Sequence, residues 1–273
     1  MGVDDHTIEV AGAPVFYHRA PATGANALYL HSVPTSSDDW LELLPLTGGV
    51  APDLLGFGRS GKASSLDYSL TGYADFVAQF LDALELERVR LVGHGWGGAI
   101  GLVFAQRHPE RVERLALIDA VPLLPSFAWP KFVRHWRRPV LGELWMGSIN
   151  RRLLARTLRS GAIGPEVWSD TKVDAVWEQF DQGTQRAILK LHRSVDLAGL
   201  ARAGAGLGEL TQPALVIWGE RDPWIAPAFA DAYAAALPNA TLLRISDAGH
   251  WPWLDQPALV DQLQAFVTGP ERP

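Results

Sequence analysis

The sequence predicts an α/β protein with a doubly wound, mostly parallel sheet and a helical cap inserted after the sixth strand. Three observations support this prediction. Short apolar runs typical of buried strands alternate with helical patterns, as in a parallel sheet covered by helices. Residues 89–108 have the pattern of a strand that enters a helix through a tight glycine turn. Strand patterns vanish in residues 121–210, which we therefore assign to the cap.

The N-terminal half supplies the first six predicted strands. The first two flank Ala11-Gly12-Ala13-Pro14 and indicate an antiparallel hairpin at the sheet edge. Apolar residues at helical spacing from Phe76 to Leu84 predict an amphipathic helix, and a second helix follows the glycine turn as far as Pro109. The six strands are predicted at residues 7–10, 15–18, 27–30, 50–53, 89–93 and 115–118.

The sheet resumes after the cap. Two further strands are predicted at residues 214–218 and 240–245. Each is followed by a predicted helix, at residues 227–236 and 257–267. The predicted organisation is therefore a core of residues 1–120 and 211–273 with a cap of residues 121–210.

Composition and charge exclude several classes of protein. The net charge of −6 argues against a surface for nucleic acid, and the absence of cysteine excludes disulfides and thiolate sites. The first residues lack a secretory pattern, and no apolar run reaches the roughly 18 residues of a membrane span. We expect a cytoplasmic monomer or homodimer that binds neither nucleic acid nor a membrane.

The turn at residues 91–100, Leu-Val-Gly-His-Gly-Trp-Gly-Gly-Ala-Ile, carries the main chemical signal. A buried strand, a glycine turn and a helix are the layout of a nucleophile elbow, G-x-nucleophile-x-G. The nucleophile position is occupied by Gly95, which has no side chain to react. The motif is therefore present without its reactive group.

Over essentially its whole length the chain resembles the α/β-hydrolase fold superfamily. The segments Val50-Ala51-Pro52-Asp53-Leu54-Leu55-Gly56-Phe57-Gly58-Arg59-Ser60 and Gly93-His94-Gly95-Trp96-Gly97-Gly98 look most like haloalkane dehalogenases and epoxide hydrolases. By this resemblance the catalytic acid is Asp222 and the catalytic base is His250, which follow the elbow in the family's order. Asp119, at the end of another strand, is the alternative acid.

The resemblance also implies an oxyanion hole and a substrate pocket. Its amides would come from Trp96 and from Val33, in His31-Ser32-Val33-Pro34, where the family usually has His-Gly. Ser32 stands in place of that glycine, and a serine would be strained there if the position has a positive φ. No metal or cofactor is expected. The predicted substrate-binding residues are His31, Trp96, Trp129, Trp136, Trp224 and Trp251.

Gly56-Phe57-Gly58-Arg59-Ser60-Gly61 also fits the dinucleotide pattern G-x-G-x-x-G. The residues that follow it are typical of a turn, whereas a pyrophosphate site needs the N-terminus of a helix. We therefore interpret this segment as a loop.

Three functional hypotheses remain open. In the first, the chain is a hydrolase of a small, largely apolar alkyl halide, epoxide or ester, impaired by the loss of the nucleophile at Gly95. Dehalogenases usually have Asn at the position of Val33, so an alkyl halide is a less favoured substrate. An epoxide is less favoured as well, because the cap contains no tyrosine to protonate the opening oxygen. In the second, Gly95 is natural and the His250–Asp222 dyad acts as a base in a lyase or cyclase reaction. In the third, the protein is a non-catalytic binder that kept the pocket.

Overall fold

Across residues 2–10, 12–22, 24 and 26–270, the ranges that the computed structural model describes, the chain forms one eight-stranded sheet. The strand order is β1-β2-β4-β3-β5-β6-β7-β8. The first two pairs in this order are antiparallel and all the others are parallel. The strands are β1 Asp4–Val10, β2 Ala13–Ala20, β3 Ala27–Leu30, β4 Gly49–Pro52, β5 Val89–His94, β6 Val112–Ile118, β7 Ala214–Gly219 and β8 Ala240–Ile245.

The predicted fold class is confirmed, because continuous apolar runs form the buried parallel strands. Every residue of β3, β4, β5 and β7 is buried, as expected when helices cover both faces of a sheet. The edge strand β1 is mostly exposed, and within it only Val10 is buried. The N-terminal hairpin is present, although Ala11 of its predicted turn lies outside the described residues.

Twelve α-helices accompany this sheet in the described chain. They are α1 Leu44–Thr47, α2 Leu70–Ala83, α3 Trp96–Arg107, α4 Lys131–Trp136, α5 Leu141–Gly147, α6 Arg151–Ser160, α7 Asp170–Gln179, α8 Gln182–Arg193, α9 Leu197–Ala203, α10 Ala228–Ala236, α11 Pro252–Asp255 and α12 Leu259–Thr268. Within the described ranges, none of them has the length and apolar character needed to cross a bilayer.

Helices α4–α9 lie between β6 and β7, and we refer to them as the helical insert. Four of its helices begin at a polar residue whose side chain accepts a hydrogen bond from a backbone amide of the first turn. Such N-caps satisfy amides that have no partner within the helix, and each stabilises it by about 0.5–2 kcal/mol. The capping residues are Asn150, Ser169, Asp181 and Asp196.

The C-terminal helix differs from its predicted range. The predicted helix of residues 257–267 is α12, which begins two residues later at Leu259, and the short helix α11 before it was not predicted. Asp255, in α11, accepts a hydrogen bond from the Gly249 amide at 2.8 Å. The extra turn of helix therefore supports the loop that carries His250.

Candidate active site

The turn between β5 and α3 has the backbone geometry of an elbow. Gly95 has φ 51° and ψ −115°, a left-handed conformation that is costly for a residue with a side chain. Its amide donates to the Ile118 carbonyl at 3.0 Å, and its carbonyl accepts from the Val121 amide at 2.9 Å. Two hydrogen bonds to the end of β6 thus hold the turn at the carboxyl edge of the sheet.

The space beside Gly95 is occupied by Ser32, from the loop after β3. A Cβ added to Gly95 would lie 2.1 Å from Ser32 Oγ and 2.7 Å from Ser32 Cβ. The same point is 3.5 Å from His250 Nε2. Ser32 Oγ accepts a hydrogen bond from the Trp96 amide at 3.2 Å. The serine hydroxyl therefore stands where the side chain of an elbow nucleophile would begin.

His250 and Asp222 form a buried dyad. His250 Nδ1 lies 2.7 Å from Asp222 Oδ2, while Asp222 Oδ1 accepts from the Trp224 amide at 2.7 Å and the Ile225 amide at 3.1 Å. A carboxylate held by two amides is a fixed acceptor, so it places the imidazole proton on Nδ1. The lone pair of Nε2 is then free to take a proton beside Ser32 and Gly95.

Asp119, the alternative acid, lies behind this dyad and is fully buried. It accepts from the Gly219 amide at 3.1 Å, and among the described contacts none joins it to His250. Burial and the neighbouring Asp222 raise the pKa of Asp119 well above its usual value. The surroundings of Asp119 therefore favour its neutral form, and Asp222 is the carboxyl group in contact with the imidazole.

The ligand atoms of Asp119, Asp222 and His250 lie within 4.8 Å of one another, so these three side chains are the described group that could hold a metal ion. A metal there would have to replace the hydrogen bond between His250 and Asp222. It would also have to ionise a carboxyl group whose surroundings favour the neutral form. The donor set fits the proton-transfer dyad better than a metal.

Two other histidines tie loops to the site. His94 Nε2 lies 2.7 Å from the His250 carbonyl, and burial, followed by the nearby His250, lowers the pKa of His94 well below its usual value. His31 Nε2 accepts from the Leu54 amide at 2.9 Å, and its Nδ1 lies 2.6 Å from the Ser32 carbonyl. His31 therefore connects the Ser32 loop to the loop after β4, and His94 connects β5 to the His250 loop.

A cavity of about 230 Å³ extends from Ser32 and His250 to the helical insert. Its polar lining side chains, apart from indoles, are Ser32, Thr157, Ser160, His192 and His250, and no Asp, Glu, Lys or Arg lines it within the described chain. Such walls suit a small, largely apolar ligand. The aromatic lining residues are Trp96, Phe127, Trp129, Phe132, Trp136, Trp145, Phe180 and Trp224.

The indole of Trp96 is bonded to the helical insert. Trp96 Nε1 donates to His192 Nε2 at 3.1 Å, and His192 Nδ1 lies 2.8 Å from the Ile188 carbonyl. Burial lowers the pKa of His192 to about 4, so the ring is neutral with its proton on Nδ1. Trp129 and Trp136 pack around the same imidazole.

The structure brings most of the predicted site residues together. Gly95, Trp96, Val33, Asp222 and His250 converge at one end of the cavity. In the part of the chain that the structure describes, the Val33 amide has no hydrogen-bond partner, so it is available to a ligand. Among the predicted substrate-binding residues, those on the cavity wall are Trp96, Trp129, Trp136 and Trp224.

Two predicted substrate-binding residues do not line the cavity. His31 is fully buried, and both of its ring nitrogens are used by the backbone contacts with Ser32 and Leu54. Trp251 is fully buried beneath Trp168 and Trp224. The backbone strain considered for Ser32 is also absent. The described non-glycine residues with a positive φ do not include Ser32.

His192 and the position of Ser32 escaped the sequence analysis. His192 stands on the buried face of α8 with Ile188 and Leu191, and a histidine at such a position could have been recognised as a pocket residue. Ser32 and Gly95 are two departures from one family pattern, and together they could have suggested that one compensates for the other.

Comparison with known proteins agrees with this geometry. A haloalkane dehalogenase of Mesorhizobium japonicum is 28% identical over 89% of this chain and 84% of the relative. The crystal structure of wild-type Cfl2 from Burkholderia cenocepacia has a TM-score of 0.88 and 28% identity, covering 97% and 96% of the two chains. Haloalkane dehalogenase DbeA from Bradyrhizobium elkani has a TM-score of 0.85 and 25% identity, covering 98% of each chain.

The family profile for the alpha/beta hydrolase fold matches residues 28–257, which include strands β4–β8 and most of β3, the elbow and the His250 loop. The expected resemblance is confirmed, and relatives named haloalkane dehalogenase are among the similar proteins. The chain therefore belongs to the α/β hydrolase fold family.

Proposed function

We propose that the protein hydrolyses a small, largely apolar ester or lactone, with His250 as the base and Asp222 as its partner. The observation that carries this proposal is the 2.7 Å contact between them at the end of an uncharged, aromatic cavity. His250 would take a proton from the attacking oxygen. The Val33 amide would stabilise the oxyanion, joined by the Trp96 amide once that amide exchanges its bond to Ser32 Oγ for one to the substrate. The helical insert, residues 121–210, would serve as the cap over the core of residues 1–120 and 211–273.

The site lacks the groups that a halide displacement requires. Gly95 offers no carboxylate to attack carbon, and Val33 has no side-chain donor for the departing halide. The Trp96 indole N–H, the other candidate donor, is used by His192. A carbonyl substrate needs none of these groups, because backbone amides stabilise its oxyanion.

Epoxide opening is supported less well for a similar reason. The opening oxygen has to receive a proton, and residues 121–210 contain no tyrosine to supply it. Buried indole nitrogens of Trp129 and Trp136 have no partner in the described chain, although both residues line the cavity. These two nitrogens are buried and do not face the cavity, and an indole N–H is a hydrogen-bond donor rather than an acid, so neither supplies the proton.

Gly95 is matched to its surroundings, which supports its being the functional residue of this protein. Ser32 Oγ and Cβ fill the space that a side chain at position 95 would need. A chain that had lost its nucleophile without other change would show an empty space there.

The test is a panel of short p-nitrophenyl esters, small lactones, haloalkanes and epoxides assayed with the native protein and with His250→Asn. We expect ester or lactone cleavage that His250→Asn lowers by about 10²- to 10⁴-fold, the usual contribution of a general base. Arg221→Gln, at an exposed ion pair outside the cavity, is the control and should retain activity. Release of halide or diol without ester cleavage would refute the proposal.

A further inference from the structure

Ser32 fills the space beside Gly95, and its hydroxyl also lacks one hydrogen-bond partner. Its oxygen accepts from the Trp96 amide, but no acceptor for its proton exists among the described residues. A buried hydroxyl normally uses its proton as well. Rotation about the Cβ–Oγ bond can direct the proton to a new acceptor while the oxygen keeps its bond to the Trp96 amide.

The matching acceptor is His250 Nε2. Its ring proton is fixed on Nδ1 by Asp222, and Nε2 has no partner in the part of the chain that the structure describes. Ser32 Oγ and His250 Nε2 lie 2.1 Å and 3.5 Å from the same point, the Cβ position of an elbow nucleophile. A donor without an acceptor thus shares this space with an acceptor without a donor.

The surroundings of Ser32 Oγ also favour negative charge on that oxygen. The Trp96 amide that donates to it is the first of the 12-residue helix α3, whose N-terminus has a positive partial charge. Val33 directly follows Ser32, and its amide is unpaired among the described contacts. An amide next to the attacking serine is where the family places an oxyanion donor.

We propose that Ser32, on the loop after β3, is the nucleophile of this site and replaces the side chain that Gly95 lacks. The proposal rests on the function proposed above and adds the residue that attacks. The nucleophile has moved from the elbow to the facing loop, while His250, Asp222 and the oxyanion amides keep their places.

The reaction has two steps. In the first, Ser32 Oγ attacks the ester carbon as its proton passes to His250 Nε2. The bond from that carbon to the alcohol oxygen then breaks, and the alcohol leaves with the proton. In the second, water gives a proton to His250 and attacks the acyl group, and the carboxylic acid leaves as Ser32 Oγ regains a proton. The sum is ester and water giving acid and alcohol.

The first experiment uses Ser32→Cys, which introduces a single thiol because the chain has no cysteine. Iodoacetamide alkylation is measured against pH. Beside His250 the thiol should have an apparent pKa below its ordinary value of about 8.5 and react at least tenfold faster at pH 7 than in Ser32→Cys/His250→Asn. Ser36→Cys, at a buried serine of the same loop, is the matched control and should not respond to His250→Asn. A rate for Ser32→Cys independent of His250 would overturn the proposal.

The second experiment labels the native protein with ethyl p-nitrophenyl methylphosphonate and maps the adduct by mass spectrometry. One adduct is expected, on Ser32, absent from Ser32→Ala and His250→Asn and retained in Ser36→Ala. Ser32→Gly, which has the residue usual in the family, should fold and should also lack the adduct. It therefore separates loss of the nucleophile from loss of folding. Ester cleavage that persists in Ser32→Ala without an adduct refutes Ser32 and leaves the proposed function standing. An adduct on Ser32 without cleavage of any substrate refutes the proposed function alone.

Discussion

At the residue scale, Gly95 and Ser32 form a complementary pair. Gly95→Ser or Gly95→Asp places a side chain on a residue with φ 51°, which costs about 1–3 kcal/mol, and brings its Cβ 2.1 Å from Ser32 Oγ. We therefore expect either change to lower the melting temperature measured by circular dichroism. An unchanged or higher melting temperature would show that the elbow is not strained.

A double substitution separates the two costs. Ser32→Gly removes the overlapping atoms but leaves the conformation of residue 95 as it is. Gly95→Ser/Ser32→Gly should therefore be more stable than the sum of the single changes predicts, because residues in contact are not additive. Additive changes in the free energy of unfolding would contradict the overlap between the two side chains.

His192 predicts a pH dependence. Its pKa is lowered to about 4 by burial, against about 6.5 in an unfolded chain. As pH falls below 6.5 the unfolded state binds this proton first, so the stabilisation from the neutral ring is present above pH 6.5 and is lost towards pH 4. Between pH 7 and pH 5 the loss is about 2 kcal/mol.

Urea unfolding of the native protein and of His192→Phe at pH 7 and pH 5 measures this effect. At pH 7 the substitution removes the acceptor of the Trp96 indole and should be destabilising. At pH 5 its cost should be about 2 kcal/mol smaller, because phenylalanine has no proton to bind. Equal costs at both pH values would mean that His192 does not differ in protonation between the folded and unfolded states.

The sequence could predict those site residues whose positions follow from strand ends and from the family pattern. Trp96, Asp222 and His250 were predicted in this way, and the structure places Trp96 and His250 on one cavity with Asp222 in contact with the imidazole. The contacts of Ser32 with Trp96 and of His192 with Trp96 span 64 and 96 residues of the chain. Such pairs are created by packing, and no local pattern encodes them.

At the element scale, the loop between β4 and α2 explains its glycines without a nucleotide. Asp53 is fully buried, and its carboxylate accepts from the Ser37 amide at 2.8 Å and from the Arg59 amide at 2.7 Å. Arg59 Nε donates to the same group at 2.9 Å. A Cβ on Gly58 would lie 2.1 Å from Asp53 Oδ2. The glycine lets the loop wrap around the carboxylate, as the interpretation of this segment as a loop requires.

Gly58→Ala should therefore destabilise the protein more than a positive φ alone explains. Gly58 has φ 54°, and Gly12→Ala is the matched control, since Gly12 has φ 73° with no atom within 4 Å of an added Cβ. We expect about 1–3 kcal/mol of backbone cost at each position and an additional steric cost only at Gly58. Equal losses in denaturant unfolding would indicate that the carboxylate moves aside.

Most elements were predictable because their signals are local. The buried strands β3 and β7 have uninterrupted apolar runs, and α2 shows its apolar face at helical spacing. Element ends were less accurate, as at α11 and α12, where the first turn depends on contacts with the His250 loop. Such ends are set by hydrogen bonds to distant residues rather than by propensity.

At the scale of the whole molecule, the helical insert and the sheet meet at His250. The His250 amide donates to the Gly161 carbonyl at 2.7 Å, at the end of α6. The rings of Trp224 and Trp251 lie 4.8 Å and 5.1 Å from the imidazole. The insert was predicted from the loss of strand patterns, but its contact with the proposed base follows only from the assembled fold.

Gly161 is the point at which this contact can be tested. Its φ of −87° suits any residue, yet an added Cβ would lie 2.5 Å from the Trp251 ring and 2.7 Å from the Trp224 ring. Gly161→Val should therefore displace the two rings that flank His250, change the near-UV circular dichroism of the tryptophans and lower ester cleavage at least tenfold. Gly147→Val, also in the insert and with no atom within 4 Å of an added Cβ, should change neither measurement appreciably. If Gly161→Val kept full activity with an altered tryptophan spectrum, Asp222 would hold the imidazole and His94 the His250 carbonyl without help from the two rings. The insert would then shape the cavity without positioning the base.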